Sequence, residues 1–173
     1  MHPLLQQLRG GDLRSIGRSN AVVHEVLAHP ELVTVLLVGI SEADPLVRMR
    51  SADAFEKVTA FRPELAQCSA RQVLALLTQS QPKEVLWHLL QIAPRVQWLP
   101  QQLQAVLRSV KAAHSNDSSI VKASALQAAV ELLPQAPSSR ASVSKRLRAA
   151  ETSSVPALAA RARKLRRLSH GEA

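Results

Sequence analysis

The chain is poor in the residues that build disulfide-rich, zinc-binding and β-rich proteins. Among 173 residues there is one cysteine, no tyrosine, two phenylalanines, two tryptophans and five glycines. A single cysteine excludes an internal disulfide framework and a cysteine-rich zinc site. β-Sandwiches and β-barrels use many aromatic residues, β-branched residues and turn glycines, so the composition argues against both classes.

Long apolar segments are also missing. The longest apolar run, residues 32–40, is far shorter than the ~20 residues that a membrane-spanning helix needs. No basic and then apolar leader opens the sequence, which argues against secretion. The length fits one domain of the usual size, about 100–200 residues. We therefore expect one structural domain in a soluble, monomeric protein of the reducing cytoplasm, with no membrane contact.

Positive charge is concentrated towards the C-terminus. The chain carries 22 Lys and Arg against 13 Asp and Glu, a net charge of +9, and residues 137–173 hold nine of the basic side chains against two of the acidic ones. The planar guanidinium of arginine pairs well with phosphate and carboxylate groups. Two interpretations stay open: a solvated face that keeps the last helices soluble, or a docking patch for an anionic partner.

Prolines stand at regular intervals where helices are expected to begin. Proline is tolerated in the first helical turn because its missing N–H would lack a partner there. From the first such proline the intervals are 15, 18, 19, 18, 37 and 19 residues, and the long interval contains a capping cluster at residues 116–118. The pattern predicts one helix about every 18 residues and one helix pair about every 37. The prolines are Pro30, Pro45, Pro63, Pro82, Pro100, Pro137 and Pro156.

Alternate helices of this pattern can be aligned with one another. Segments 47–58, 85–96, 121–132 and 157–168 follow at offsets of 38, 36 and 36 residues. Five positions on one helical face stay apolar or small in the first three copies. This pattern resembles the second helix of the HEAT-like repeat family, and the residues that carry the resemblance are Asp44, Val47, Arg48, Ala52, Ala54, Phe55 and Val58.

The resemblance implies an all-α fold, a right-handed α-α superhelix of about four helix pairs. The expected pairs are residues 30–61, 62–98, 99–136 and 137–168, after an N-terminal helical cap at 1–29 and before a disordered tail at 169–173. Arg161 and Lys164 interrupt the apolar face of the fourth pair, as expected for an end repeat with a polar outer face. Ala54 and Ala128 are predicted to be buried, and Cys68 is predicted to be a small core residue.

In such solenoids the second helices stack side by side and line the concave surface. Their side chains that point away from the core form a stripe of candidate binding residues. Trp87 is unusual because a large aromatic side chain lies where solvent is expected. It either fills the space against the neighbouring helix or serves as a contact platform, a frequent role for tryptophan. The candidates are Arg50, Asp53, Lys57, Trp87, His88, Gln91 and Arg95.

Evidence for catalysis is thin. The six histidines form no HExxH motif, and no Gly-x-Ser-x-Gly motif is present. We therefore predict no metal site, no cofactor and no enzymatic activity. Certain alkylpurine DNA glycosylases are built from HEAT-like repeats, and this remote third option rests on the fold resemblance alone.

The sequence favours a non-enzymatic scaffold or adaptor that binds a protein or peptide on its concave face. The alternative is sequence-independent nucleic-acid binding through Arg161, Arg163, Lys164, Arg166 and Arg167. A patch continuous with the basic residues at 140–148 would favour phosphate binding, whereas scattered charge would favour a role in solubility.

Overall fold

A computed structural model describes residues 1–12 and 15–169, with side chains up to residue 167. Within these residues the chain forms eleven α-helices and three short 3₁₀ turns, without a β-strand. The prediction of an all-α protein is confirmed. Most of the tail expected at 169–173 lies outside the described residues.

The helices follow one another in pairs. The N-terminal pair is α1 (Pro3–Gln6) and α2 (Ser19–Ala28). The first helices of the later pairs are α3 (Val33–Gly39), α5 with α6 (Pro63–Cys68 and Ala70–Thr78), α8 (Pro100–Ala113) and α10 (Arg140–Glu151). The second helices are α4 (Pro45–Phe61), α7 (Lys83–Ile92), α9 (Ser119–Glu131) and α11 (Pro156–Ser169). The 3₁₀ turns are Pro30–Leu32, Ala93–Arg95 and Pro137–Ser139.

Prolines stand at the helix starts, as the spacing predicted. They are the first residues of α4, α5, α8 and α11, and Pro82 is the N-cap residue of α7. At the start of α4 the carboxylate of Asp44 accepts hydrogen bonds from the backbone N–H groups of Leu46 (2.9 Å) and Val47 (3.4 Å). These bonds satisfy donors that have no partner within the helix.

The second helices form one continuous row. Each packs against the helix before it in its own pair, and α2, α4, α7, α9 and α11 also contact one another in that order. We call this arrangement the second-helix row. The layer of first helices is more open: α6 contacts α8, whereas grooves lie between α3 and α6 and between α8 and α10.

One main core runs through most of the chain. Ala54 and Ala128 are fully buried in it, as predicted, because the centre of each second helix touches its neighbours closely. A smaller cluster of Leu126, Ala150, Ala162 and Leu165 holds the last helix pair.

The prediction that Cys68 lies in the core is wrong, because its side chain is exposed. The segment from Pro63 to Thr78 is two helices that break at Ser69. The break changes the helical register, so α5 buries Leu65 and Ala66 and leaves Cys68 outside.

The apolar run at residues 32–40 forms the end of a 3₁₀ turn and helix α3. None of the helices in the described part of the chain has the length and apolar character needed to cross a membrane.

Candidate functional site

Arg50 does not lie on the exposed stripe where the sequence placed it. Its side chain is 1% exposed, and its guanidinium donates to four backbone carbonyls of the N-terminal segment. The distances are 2.7 Å to Leu8, 2.6 Å to Gly10, 3.1 Å to Asp12 and 3.1 Å to Ser15. The segment between α1 and α2 folds over the edge of α4, and that contact removes Arg50 from solvent.

Asp53 and Lys57 lie on α4 beside α2, and both are partly buried. The Ser19 hydroxyl donates to the Asp53 carboxylate at 2.5 Å. The Lys57 ammonium lies 2.7 Å from the same carboxylate oxygen and donates to the Asn20 side-chain carbonyl at 2.9 Å. These contacts join α4 to α2, so only part of each side chain remains on the stripe.

His88 is also buried, at 2% exposure, and its predicted position in solvent is wrong. It faces the side of α7 that packs on α4, where Asp53 and Lys57 act on its charge. The pKa of His88 is lowered to about 4, mainly by burial; Asp53 opposes this change and Lys57 adds to it. Its Nδ1 atom has no hydrogen-bond partner among the described residues. The imidazole is therefore neutral at neutral pH.

Trp87 is partly buried against the core. It packs against the main core and keeps part of its surface exposed. Its ring centroid lies 3.6 Å from that of His88, with the planes tilted by 33°. Gln91, one turn later, is partly exposed and donates to the Trp87 carbonyl at 3.3 Å.

Arg95 reaches from the end of α7 to α4. Its guanidinium pairs with the Glu56 carboxylate and donates to the Thr59 hydroxyl at 2.8 Å. The pair fixes two neighbouring second helices relative to each other.

The exposed side of the second-helix row carries side chains of mixed charge with Trp87 near the middle. We call this surface the row face. Its partly or fully exposed members are Met49, Asp53, Glu56, Lys57, Glu84, Trp87, Gln91, Ile120, Gln127 and Glu131.

The basic residues of the last two helices point in different directions. On α11, Arg163, Lys164 and Arg167 are exposed, whereas Arg161 donates to Gln127 of α9. Arg166 pairs with Glu151 of α10 at 2.8 Å. Two of the five basic side chains of α11 therefore contact neighbouring helices, and the other three lie on one side of α11.

The basic residues of α10 are all exposed, and one of them also faces a groove. Arg140, Lys145, Arg146 and Arg148 are exposed, and Arg146 lines the groove that faces α8.

A cleft that the sequence analysis missed lies between α8, α9 and α10. One lobe of about 400 Å³ is lined by Arg108, Lys111, His114 and Arg146. A second lobe of about 370 Å³ is lined by Lys122, and His114 and Arg146 line it as well. No Asp or Glu lines either lobe. We call these two lobes the basic cleft.

A sequence signal for one wall of the basic cleft does exist. Gln104, Arg108 and Lys111 follow the i, i+4, i+7 spacing of one helical face. The other walls come from α9 and α10, and no local pattern shows that they meet α8.

Metal binding has no support in the described part of the chain, where no group of three His, Cys, Asp or Glu side chains could hold an ion. No protein-family model matches this chain, and no curated protein is significantly similar to it.

Proposed function

We propose that the protein is a non-enzymatic HEAT-like repeat scaffold that binds a protein or peptide partner on the row face. The observation that carries this proposal is the second-helix row itself, in which α2, α4, α7, α9 and α11 contact one another in chain order. Repeated helix pairs whose second helices stack in this way build a superhelical solenoid with an extended binding surface. In that arrangement the row face is the concave surface.

The chemistry of the row face suits a short segment of another protein. Trp87 offers a partly exposed aromatic surface, surrounded by the polar side chains of Glu84 and Gln91. Tryptophan surrounded by polar side chains is typical of binding hot spots. Both signs of charge are present on the face, so an amphipathic helix or extended peptide with mixed charge fits it better than a polyanion does.

The row face is also held rigid. The Arg95–Glu56 pair joins α7 to α4, and the contacts of Asp53 and Lys57 join α4 to α2. A surface that is already ordered loses little conformational entropy when a partner binds, which supports affinity.

Nucleic-acid binding through α11 is the second candidate, and the exposure of Arg163, Lys164 and Arg167 favours it. Such binding would be electrostatic and would weaken steeply with salt. A plot of the logarithm of the binding constant against the logarithm of the salt concentration would have a slope near −0.9 per phosphate contact on duplex DNA. Arg161 donates to Gln127, and Arg166 pairs with Glu151. These contacts reduce the positive charge that is available to bind a nucleic acid.

The test is affinity capture from a nuclease-treated lysate of the native organism, followed by binding measurements with the captured protein. Trp87→Ala should abolish binding, whereas Val38→Ala should retain it. Val38 is a matched control because its side chain is 62% exposed on α3, outside the row face. Circular dichroism checks that both variants keep the wild-type helix content.

Two results would count against the scaffold proposal. The first is a partner that binds Trp87→Ala and the wild type equally well. The second is binding that disappears after nuclease treatment and depends on Arg163, Lys164 and Arg167. That second result would support the nucleic-acid alternative.

A further inference from the structure

Cations from three helices meet in the basic cleft without an acidic neighbour. Arg108 and Lys111 come from α8, Lys122 from α9 and Arg146 from α10. Within the described residues, none of these four side chains forms a hydrogen bond or an ion pair. Arg50 and Arg95, by contrast, have oxygen partners. Like charges that share a concave surface repel one another, and an anion between them would remove that repulsion.

His114 lies within the positive potential of the cleft. It lies at the C-terminal end of α8 and lines both lobes. Burial, with a contribution from the neighbouring Arg146, lowers the pKa of His114 to about 4. The charged groups that line the cleft around His114 are Arg108 and Lys111 from α8, Lys122 from α9 and Arg146 from α10. An anion bound among these cations would favour protonation of the His114 ring.

The shape of the cleft points to a small ligand with two anionic groups. Each lobe has its own cations, and Arg146 is shared by both. Lobes of about 400 and 370 Å³ lie in the size range of small-molecule sites, roughly 300–1,000 Å³. Leu107 and Val143 add apolar surface to the larger lobe, where an organic framework can pack.

We infer that the basic cleft binds a small organic molecule that carries two phosphate groups. Arg108 and Lys111 contact one phosphate, Lys122 contacts the other, and Arg146 lies between them. Guanidinium and ammonium groups form strong, charge-assisted hydrogen bonds with phosphate oxygens. The hydroxyl of Ser153 supplies a further donor in the second lobe, whereas that of Ser142 already donates to the backbone carbonyl of Ser139 at 3.0 Å. This site is separate from the row face and does not depend on the scaffold proposal.

The test is a titration of the full chain with a sugar bisphosphate, pyrophosphate and inorganic phosphate, followed by NMR. We expect the sugar bisphosphate to shift the amide signals of the cleft and to raise the pKa of His114. His88 is an internal control, because its pKa is also lowered to about 4 but it lies between α7 and α4. Its pKa should not change.

Two arginines of α10 give a matched pair of variants. Arg146→Ala should weaken binding of the sugar bisphosphate at least about tenfold, as expected for the loss of hydrogen bonds to a charged group. Arg148→Ala removes the same charge from the exposed side of the same helix and should leave the affinity unchanged. Trp87→Ala should also leave it unchanged.

Three results would overturn the inference. One is equal weakening by Arg146→Ala and Arg148→Ala, which would mean nonspecific attraction to a basic chain. Another is the absence of any shift at millimolar sugar bisphosphate. The third is binding of the bisphosphate no tighter than that of inorganic phosphate, which would exclude a site for two phosphate groups.

Discussion

The guanidinium of Arg50 donates to the backbone carbonyl of Leu8 at 2.7 Å, across 42 residues of sequence. Three further carbonyls, those of Gly10, Asp12 and Ser15, accept from the same side chain. A buried guanidinium without a carboxylate partner is stable here because backbone oxygens replace the water it has lost. One side chain of α4 thereby binds four residues of the connection between α1 and α2.

We expect Arg50→Ala to lower the free energy of unfolding by about 2–5 kcal/mol, because four backbone carbonyls, one of them in a buried bond, lose their donor at once. Urea denaturation followed by circular dichroism measures the change. Arg71→Ala is the matched control, since Arg71 is exposed on α6, and it should change stability by less than about 0.5 kcal/mol. Equal effects of the two substitutions would contradict this account of Arg50.

Gly17 is expected to tolerate alanine less well than Gly10. Both have positive φ angles, +53° and +77°, so alanine at either position costs about 1–2 kcal/mol in backbone strain. At Gly17 a Cβ atom would also lie 2.8 Å from Cζ of Arg50, whereas nothing lies within 4 Å at Gly10. Thermal denaturation should show a larger loss for Gly17→Ala. A larger loss for Gly10→Ala would argue against the close approach of Arg50.

Leucine at Ala54 or Ala128 should overfill the contacts between second helices. Both alanines are 0% exposed, and extra methylene groups in a packed core usually cost about 1–3 kcal/mol. Ala60→Leu is the control, because Ala60 is exposed on α4. Melting temperatures of the three variants provide the measurement. Unchanged stability in both buried variants would mean that the helices pack less closely than described.

Stability is expected to fall as the pH is lowered from 7 towards 4. The pKa of His88 is about 4 in the folded chain, whereas that of an unperturbed histidine is 6.5. Between these values only the unfolded chain takes up the proton, which favours unfolding. The loss from His88 is at most about 1.4 kcal/mol per pH unit and stops near its folded pKa.

Urea denaturation at pH 7 and pH 5 tests this dependence. His88→Gln should make it shallower, because glutamine does not titrate in this range. His24→Gln should leave it unchanged, since His24 is exposed on α2. An identical pH dependence of stability in wild type and His88→Gln would contradict the assignment of this dependence to His88.

Local patterns were enough to predict the helices and much of the core. Pro45, Pro63, Pro100 and Pro156 stand at helix starts because the first helical turn accepts proline, whatever the rest of the chain does. Ala54 was predicted to be buried because the 3.6-residue period places it on the same face as Val47 and Val58. Cys68 shows the limit, since the break at Ser69 shifts that period.

The candidate site was harder to predict because its exposure depends on contacts between distant segments. Arg50 and His88 lie at the edges of their helices, and helical periodicity does not reveal whether a neighbour covers an edge. Residues 8–12 and Ser15 cover Arg50, and α4 covers His88. The basic cleft needs α8 and α10 on either side of a groove, and that arrangement is not visible in either sequence segment.

The small core of the last helix pair has a consequence for how the chain unfolds. Only Leu126, Ala150, Ala162 and Leu165 are buried in that cluster, so detaching α10 and α11 exposes far less apolar surface than disrupting the main core. Although Val143 of α10 packs in the main core, we expect the C-terminal pair to open before the rest of the protein. The amide hydrogens of α10 and α11 should exchange faster than those of the helices that pack in the main core. A ligand that contacts both Arg108 and Arg146 would join α8 to α10. Its binding would stabilise the closed C-terminal pair by mass action and so slow the exchange of its amide hydrogens.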